Sequence, residues 1–393
     1  MRVGLLLAVL VGLLVQGSFH YLLWRRLVRD TALRRPWREV ATIAIVGLWL
    51  AVPATMWLTR AGLAWMGSTV GWVAFPWMAL VGITVGFLVA IDFGRFLGWI
   101  VVKLRGPAQP VDAGRRVALA RITGGVALAA GGLAVAAGVR EALGDHEIRT
   151  VEVELAGLHP ALDGFTIAQV TDLHVGMTIG RGFVDDLVAR VNAVEADLIA
   201  VTGDLVDGSV PDLRDKVAPL AGLRARHGVY FVTGNHEYYS GVEPWIAHVA
   251  ELGFLHLRNQ HVEIRRGAGA FTLAGVDDHS AAQFGPAHGP RYDAAMEGRD
   301  PSLPVVLLAH QPRQVVHAIR HGVALQLSGH THGGQVWPWH YVIALQQGGR
   351  VAGLYHERGT ALYVCRGAGY WGPPVRLGAP PEIGRIVLRA RPA

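Results

Sequence analysis

The chain has 393 residues, of which 51% are hydrophobic and only 17% charged, and carries a net charge of +6. That balance is too apolar for one ordinary soluble domain, so a membrane segment is expected beside a sizeable folded core. The single cysteine, Cys365, excludes a disulfide framework and a thiolate metal cluster and reads as a core residue.

The apolar excess comes first in the chain. "MRVGLLLAVLVGLLVQGSFHYLLW" and "VATIAIVGLWLAVPATMWL" each approach the ~20 residues that cross a bilayer, and "AWMGSTVGWVAFPWMALVGITVGFLVAI" is longer. A fourth run, residues 122–139, is weakly hydrophobic but rich in the Ala and Gly that favour close helix packing. Nothing after the first run resembles a small-residue cleavage site, so it is read as a helix rather than a signal peptide.

Basic residues set the orientation. Arg25, Arg26, Arg29, Arg34, Arg35 and Arg38 follow the first run, and Arg95, Lys103, Arg105, Arg115, Arg116 and Arg121 follow the third, whereas Arg60 stands alone after the second. Four crossings therefore place both arginine-rich loops inside and everything after Val139 outside. The expectation is a multi-pass protein of a bacterial-type inner membrane with an extracytoplasmic domain; three crossings would put that domain in the cytoplasm. These residues account for the positive charge, and no basic and aromatic interleaving follows, so no nucleic-acid partner is expected.

From about Thr150 the composition changes. "FTIAQVTDLH", "ADLIAVTGDL", "GVYFVTGNHE", "PVVLLAHQP" and "ALQLSGHTH" each read as a short buried strand ending in Asp, Asn or His. Phe183, Leu187, Val188, Val191 and Val194 have helical spacing between the first two, and "PDLRDKVAPLAGLRAR" starts a helix at Pro211. Alternating strands and helices argue an α/β core, in which ligands belong at the carboxyl ends of the strands.

Those ends carry the chemistry. Asp172 and His174 flank Leu173, so in extended backbone both face one side. Taken alone, Asp204 would be a loop cap, Asn235 part of a turn and His310 an ordinary buried or surface histidine. Together, Asp172, His174, Asp204, Asn235, His310, His330 and His332 form an oxygen and imidazole set suited to Mn, Fe or Zn. The set is too large for one tetrahedral zinc and suits two ions roughly 3.5–4 Å apart, bridged by a carboxylate and a hydroxide. Gly329, Gly333 and Gly334 then let the backbone turn so that His330 and His332 reach different ions.

The motifs "DLH" at Asp172, "GDLVD" at Gly203, "GNHE" at Gly234, "AHQP" at Ala309 and "GHTHGGQ" at Gly329, in this order, resemble the calcineurin-like metallophosphoesterase family. With the N-terminal helices they resemble its membrane-associated branch, the YkuE-like and YaeI-like enzymes. The resemblance implies a four-layer sandwich, two mixed β-sheets flanked by helices, over 165–393. A transmembrane region of four helices at 1–140 and a connector with a first edge element at 141–164 would precede it.

It also implies roles. Asp172, His174 and His332 would hold one divalent transition ion and Asn235, His310 and His330 a second, with Asp204 bridging. His236 would stand near the leaving group as the catalytic side chain, and Glu237 would not be a ligand. Within the polar stretch 275–304, Asp277, Asp278 and His279 are candidates for shaping the substrate entrance, against a plain loop reading.

The expected reaction is phosphoester hydrolysis by a metal-bridging hydroxide, on a phosphorylated small molecule or lipid at the bilayer. The alternatives are a pyrophosphatase of a nucleotide-linked lipid such as UDP-diacylglucosamine, and a non-catalytic membrane metal-binding sensor or scaffold. The unbroken ligand set disfavours the last. Oligomeric state is left open.

Overall fold

The computed structural model describes residues 2–105 and 112–391, and the chain divides into two compact units. One comprises residues 1–140 with 372–375, the other 141–371 with 376–393.

In the first unit each apolar run becomes one helix: α1 (Arg2–Trp24), α2 (Trp37–Arg60), α3 (Ala64–Arg105) and α4 (Ala113–Ala142). Met1 of the first run lies outside the described residues. Among the described residues, three helical stretches, Trp37–Thr59, Trp65–Leu104 and Ala113–Ala142, are long and apolar enough to cross a membrane. The weakly hydrophobic fourth run is therefore embedded in a longer helix that meets this criterion.

α3 exceeds the sequence expectation. Its 42 residues span roughly 60 Å, about twice a hydrocarbon core. Arg95 and Lys103, expected in a loop, lie on its C-terminal part. No proline interrupts the helix after Pro76, and Gly94 and Gly98 each cost only about 1 kcal/mol in a helix interior.

The second unit contains β1 (Glu147–Leu155), β2 (Phe165–Val170), α5 (Arg181–Asn192), β3 (Leu198–Val201), α6 (Val210–Val217), β4 (Val229–Phe231), α7 (Asn235–Ser240), α8 (Val242–Glu251) and β5 (Leu255–His256). Its second half contains β6 (Gln260–Arg266), β7 (Gly269–Gly275), α9 (Tyr292–Met296), β8 (Val305–Leu308), α10 (Val315–Arg320), β9 (Leu325–Ser328), α11 (His340–Gln346), β10 (Gly353–Glu357), β11 (Thr360–Val364) and β12 (Glu382–Ala390).

Two six-stranded mixed sheets result, ordered β1-β12-β2-β3-β4-β5 and β10-β11-β9-β8-β7-β6. Phe165, Ile167, Leu198 and Tyr230 of the first sheet meet Phe271, Leu273, Leu308 and Leu327 of the second in one buried core, which also encloses Cys365. The opposite face of the first sheet packs Val170, Ile199 and Phe231 on Leu187 and Val191 of α5 and Trp245 of α8. The outer face of the second packs Val305 and Leu307 on Ala295 of α9 and Ala318 of α10. The unit is therefore a helix, sheet, sheet, helix sandwich, as the family resemblance implies.

Local chemistry explains the departures. α6 stops at Val217 and a tighter turn over Ala218–Gly222 replaces its continuation, because Pro219 has no N–H to extend the helix. The polar stretch after Gly275 is loop with the short helix α9 inside it.

Position follows from topology. β2, β3 and β4 are mutually parallel, as are β7, β8, β9 and β11. The loops leaving their carboxyl ends bring all seven ligand candidates together.

Candidate metal centre

Asp172 and His174 follow β2 in a loop rather than in extended backbone. Asp172, His174, Asp204, His330 and His332 have φ of 56, 51, 54, 72 and 50°, the left-handed region that costs a non-glycine residue on the order of 1–3 kcal/mol. The extended expectation for 172–174 fails because β2 ends at Val170 and the Asp172 N–H donates to the Gly203 carbonyl at 3.0 Å. Leu173 still points into the core, fully buried.

The two sheets are tied together at Asp172, whose carboxylate oxygens accept the His330 N–H at 3.0 and 2.9 Å. Gly329 makes that approach possible, since a Cβ there would lie 2.2 Å from both Asp172 Oδ2 and Thr171 Oγ1. Its role is therefore space, whereas Gly333 and Gly334, at φ of 62 and 83°, supply the expected turn.

Of the three groups of ligand atoms that result, two consist of ligand candidates alone, Asp172 with His174 and His332 and Asp204 with His310 and His330, while the third joins His174 to Asp207 and His236; the atoms of each group lie within 4.8 Å of one another. The first two adjoin. His174 Nε2 lies 3.0 Å from His332 Nε2, and Asp204 Oδ2 is 3.0 Å from His310 Nε2 and 3.9 Å from His174 Nε2. His310 Nδ1 donates to the Thr202 carbonyl at 2.7 Å, fixing its ring with Nε2 toward the site. Asn235, at the start of α7, is buried, and among the described residues its Oδ1 has no hydrogen-bond partner. An orphaned amide oxygen beside these clusters is a group waiting for an electrophile.

The electrostatics suit cations. Burial, then the nearby His310, pushes His330 down to about 3, and burial with His174 and Arg376 holds His332 well below the ordinary value. Both imidazoles are neutral, as metal ligands must be. Burial works against the Asp204 charge, but His310, His236 and His174 outweigh it and hold the carboxyl well below its usual range. Burial raises Asp172, against the pull of His310.

Three side chains without a role in the sequence reading support the site. Asp207 Oδ1 is 2.5 Å from His236 Nδ1 and 3.2 Å from His174 Nδ1. The signal was a second acid three residues after Asp204 in "GDLVD". Glu237 accepts the Gly234, Asp204 and Leu205 N–H groups at 2.7, 2.9 and 2.7 Å, pinning the Asp204 loop to α7. Arg376, fully buried, donates to the carbonyls of Gly367, Gly369 and Ala379 behind His332.

His236 sits beside the clusters, its Nε2 4.0 Å from Asp204 Oδ2. Burial lowers its pKa, but the hydrogen bond to Asp207 and the charge of Asp204 prevail and bring it to about 9. Asp277 and Asp278 are buried. Asp278 accepts from Gln311 Nε2 and from the Ser280 N–H, and Asp277 accepts from the Gly289 N–H. A cavity of about 480 Å³ opens on the centre, with Asn235, Tyr239, Ser280, Arg313, His330 and Leu345 among its walls. Ser280 is thus the wall residue nearest in sequence to the Asp277–His279 candidates, and His279 is exposed.

The family described as calcineurin-like phosphoesterase matches residues 165–334. A cattle (Bos taurus) transmembrane protein with metallophosphoesterase domain is 41% identical over 256 residues, 62% of this chain; the chain spans 57% of that relative's length. The uncharacterized metallophosphoesterase YkuE of Bacillus subtilis is 31% identical over 67% of this chain and 94% of its own. A zebrafish (Danio rerio) transmembrane protein with metallophosphoesterase domain is 31% identical over 396 aligned residues, 96% of this chain and 87% of the relative. Matched by the family over residues 165–334 and aligned with the zebrafish relative over nearly its full length, the chain belongs to the calcineurin-like metallophosphoesterase family.

Proposed function

We propose that the chain is a two-metal phosphoester hydrolase acting on a membrane-associated or envelope phosphoester. The observation that carries this is the pair of adjoining Asp/His clusters, buried except for the half-buried His330, with the unpartnered Asn235 Oδ1 beside them. Oxygen and imidazole donors without thiolate fit Mn, Zn or Fe. Asp172, His174 and His332 would hold one ion and Asn235, His310 and His330 the other. Asp204 would serve both, because its Oδ2 faces His310 and His174 together. When bound, such a pair supplies Lewis acidity toward phosphoryl oxygens and makes water a competent nucleophile near neutral pH.

The chain's own groups do the rest. Asp207 holds the His236 ring through Nδ1, leaving Nε2 to carry a proton to the departing oxygen. Arg313 on the cavity wall offers a cation to the phosphoryl group. The Asp204 and Asn235 loops, clamped by Glu237, keep the donors in place without rearrangement.

The test is metal content and turnover of the full chain. Wild type should bind two transition ions and hydrolyse bis(4-nitrophenyl) phosphate, with activity abolished by EDTA and restored by Mn or Zn. D204N should lose at least a hundredfold in turnover and most of its metal. Normal loading and rate in D204N would defeat the shared-ligand assignment.

A further inference from the structure

Beside the metal centre the second unit exposes a face that its own packing does not use. Trp337, Trp339, Tyr341 and Trp371 are 64, 58, 61 and 58% exposed, and Leu345 is 86% exposed. α11, of sequence "HYVIALQ", has no buried residue. Seven residues are too few to hold a helix in water by themselves, and a helix this apolar needs a surface to lie on. The face is joined to the chemistry. Leu345 shares the cavity with Asn235 and His330, Gln347 Oε1 accepts the Arg313 N–H, and Gln335 exchanges two hydrogen bonds with the Trp371 backbone.

Three observations identify what covers it. Tryptophan and tyrosine, with an apolar ring and a polar handle, concentrate at the headgroup level of bilayers. Arg313 is exposed on the cavity wall and, among the described residues, forms no ion pair, which complements anionic headgroups. The same chain carries helices long and apolar enough to cross a membrane, so a bilayer is a surface that its composition suits.

We infer that the face of Trp337, Trp339, Tyr341, Leu345 and Trp371 beds in the headgroup layer, and that the adjoining site takes its phosphoester from lipid headgroups. The second half rests on the hydrolase reading. Water forms the new P–O bond, the bond to the leaving alcohol oxygen breaks, and that oxygen takes up a proton.

The experiment uses the full chain in nanodiscs of phosphatidylcholine and phosphatidylglycerol. The native Cys365 is buried, so L345C can be labelled selectively with an environment-sensitive fluorophore, with the exposed Glu297 as the E297C control. Lipids spin-labelled near the headgroup should quench the label at 345 at least threefold more than that at 297. Equal quenching overturns the membrane-facing assignment, including the case in which a protein surface shields the label. The W339S/Y341S double variant should lower the ratio of phosphatidylglycerol to bis(4-nitrophenyl) phosphate hydrolysis at least fivefold, and an unchanged ratio overturns the lipid source. Absence of turnover on any phosphoester by the metal-loaded wild type would sink the hydrolase reading and the lipid source with it, while the quenching result still decides the face.

Discussion

The Asp207 carboxylate lies 2.5 Å from His236 Nδ1, and it also reaches His174 at 3.2 Å. One acid thus steadies a ligand candidate and the proposed proton donor. In the metal-free chain the hydrogen bond to Asp207 and the Asp204 charge, working against burial, bring His236 to about 9. Because this folded value lies above that of the unfolded chain, the stabilisation is complete below about pH 6.5 and is lost as pH rises through about 9. D207N should move the His236 titration, followed by histidine NMR in metal-free protein, downward by at least one unit. In the loaded enzyme it should slow alkyl phosphodiester hydrolysis by roughly ten- to a hundredfold and nitrophenyl ester hydrolysis much less, since an aryloxide leaves without a proton. Equal losses on both esters would assign Asp207 to metal positioning through His174 alone.

Gly329 offers a steric test. A methyl group there would meet Asp172 Oδ2 and Thr171 Oγ1 at 2.2 Å, with the sheets pinned on both sides by the His330 N–H. G329A should lower stability by about 1–3 kcal/mol and weaken metal binding at least tenfold, measured by thermal unfolding and by competition with a chelating dye. Wild-type affinity would mean that the Asp172 loop yields without moving its carboxylate.

His146 sets an acid limit on the second unit. It is buried, and burial with the nearby Arg190 lowers it to about 4. The depressed folded value gives stability that is full above about pH 6.5 and declines as pH falls toward about 4, where the folded ring takes its own proton. H146L should flatten this slope, so its melting temperature relative to wild type rises steadily from pH 7 to pH 4. A pH-independent difference would remove His146 from the account of acid sensitivity.

The proposed topology has four crossings, with the two arginine-rich segments inside and the second unit outside. Among the described residues the length and apolarity of Trp37–Thr59, Trp65–Leu104 and Ala113–Ala142 fit three of these crossings, and α1 is the span that the proposal adds. Alkaline phosphatase fused after Arg140 should be active, and a fluorescent protein that matures only in the cytoplasm should stay dark at the same junction. The opposite pair of results would place the metal centre in the cytoplasm.

Much of the site was legible because each motif is local. A β-branched run ending in Asp172, Asp204, Asn235, His310 or His330 states both the strand and the residue at its carboxyl end, and parallel strands must deliver those ends to one edge. The spacing at Leu187, Val188 and Val191 likewise determined the buried face of α5. What each ligand candidate touches was not local. His174 meets His332 across 158 positions of chain, and Asp207 earns its role by reaching His174 over 33 positions and His236 over 29. Arg376 reads as one more arginine until the fold buries it behind His332. The left-handed backbone at Asp172 and His174 is a cost that no propensity favours, tolerated because packing on both sheets over-determines those loops. The aromatic residues after Gly334 have no role in the sequence reading, and only the tertiary structure, by filling its core without them, left Trp337, Trp339 and Tyr341 exposed.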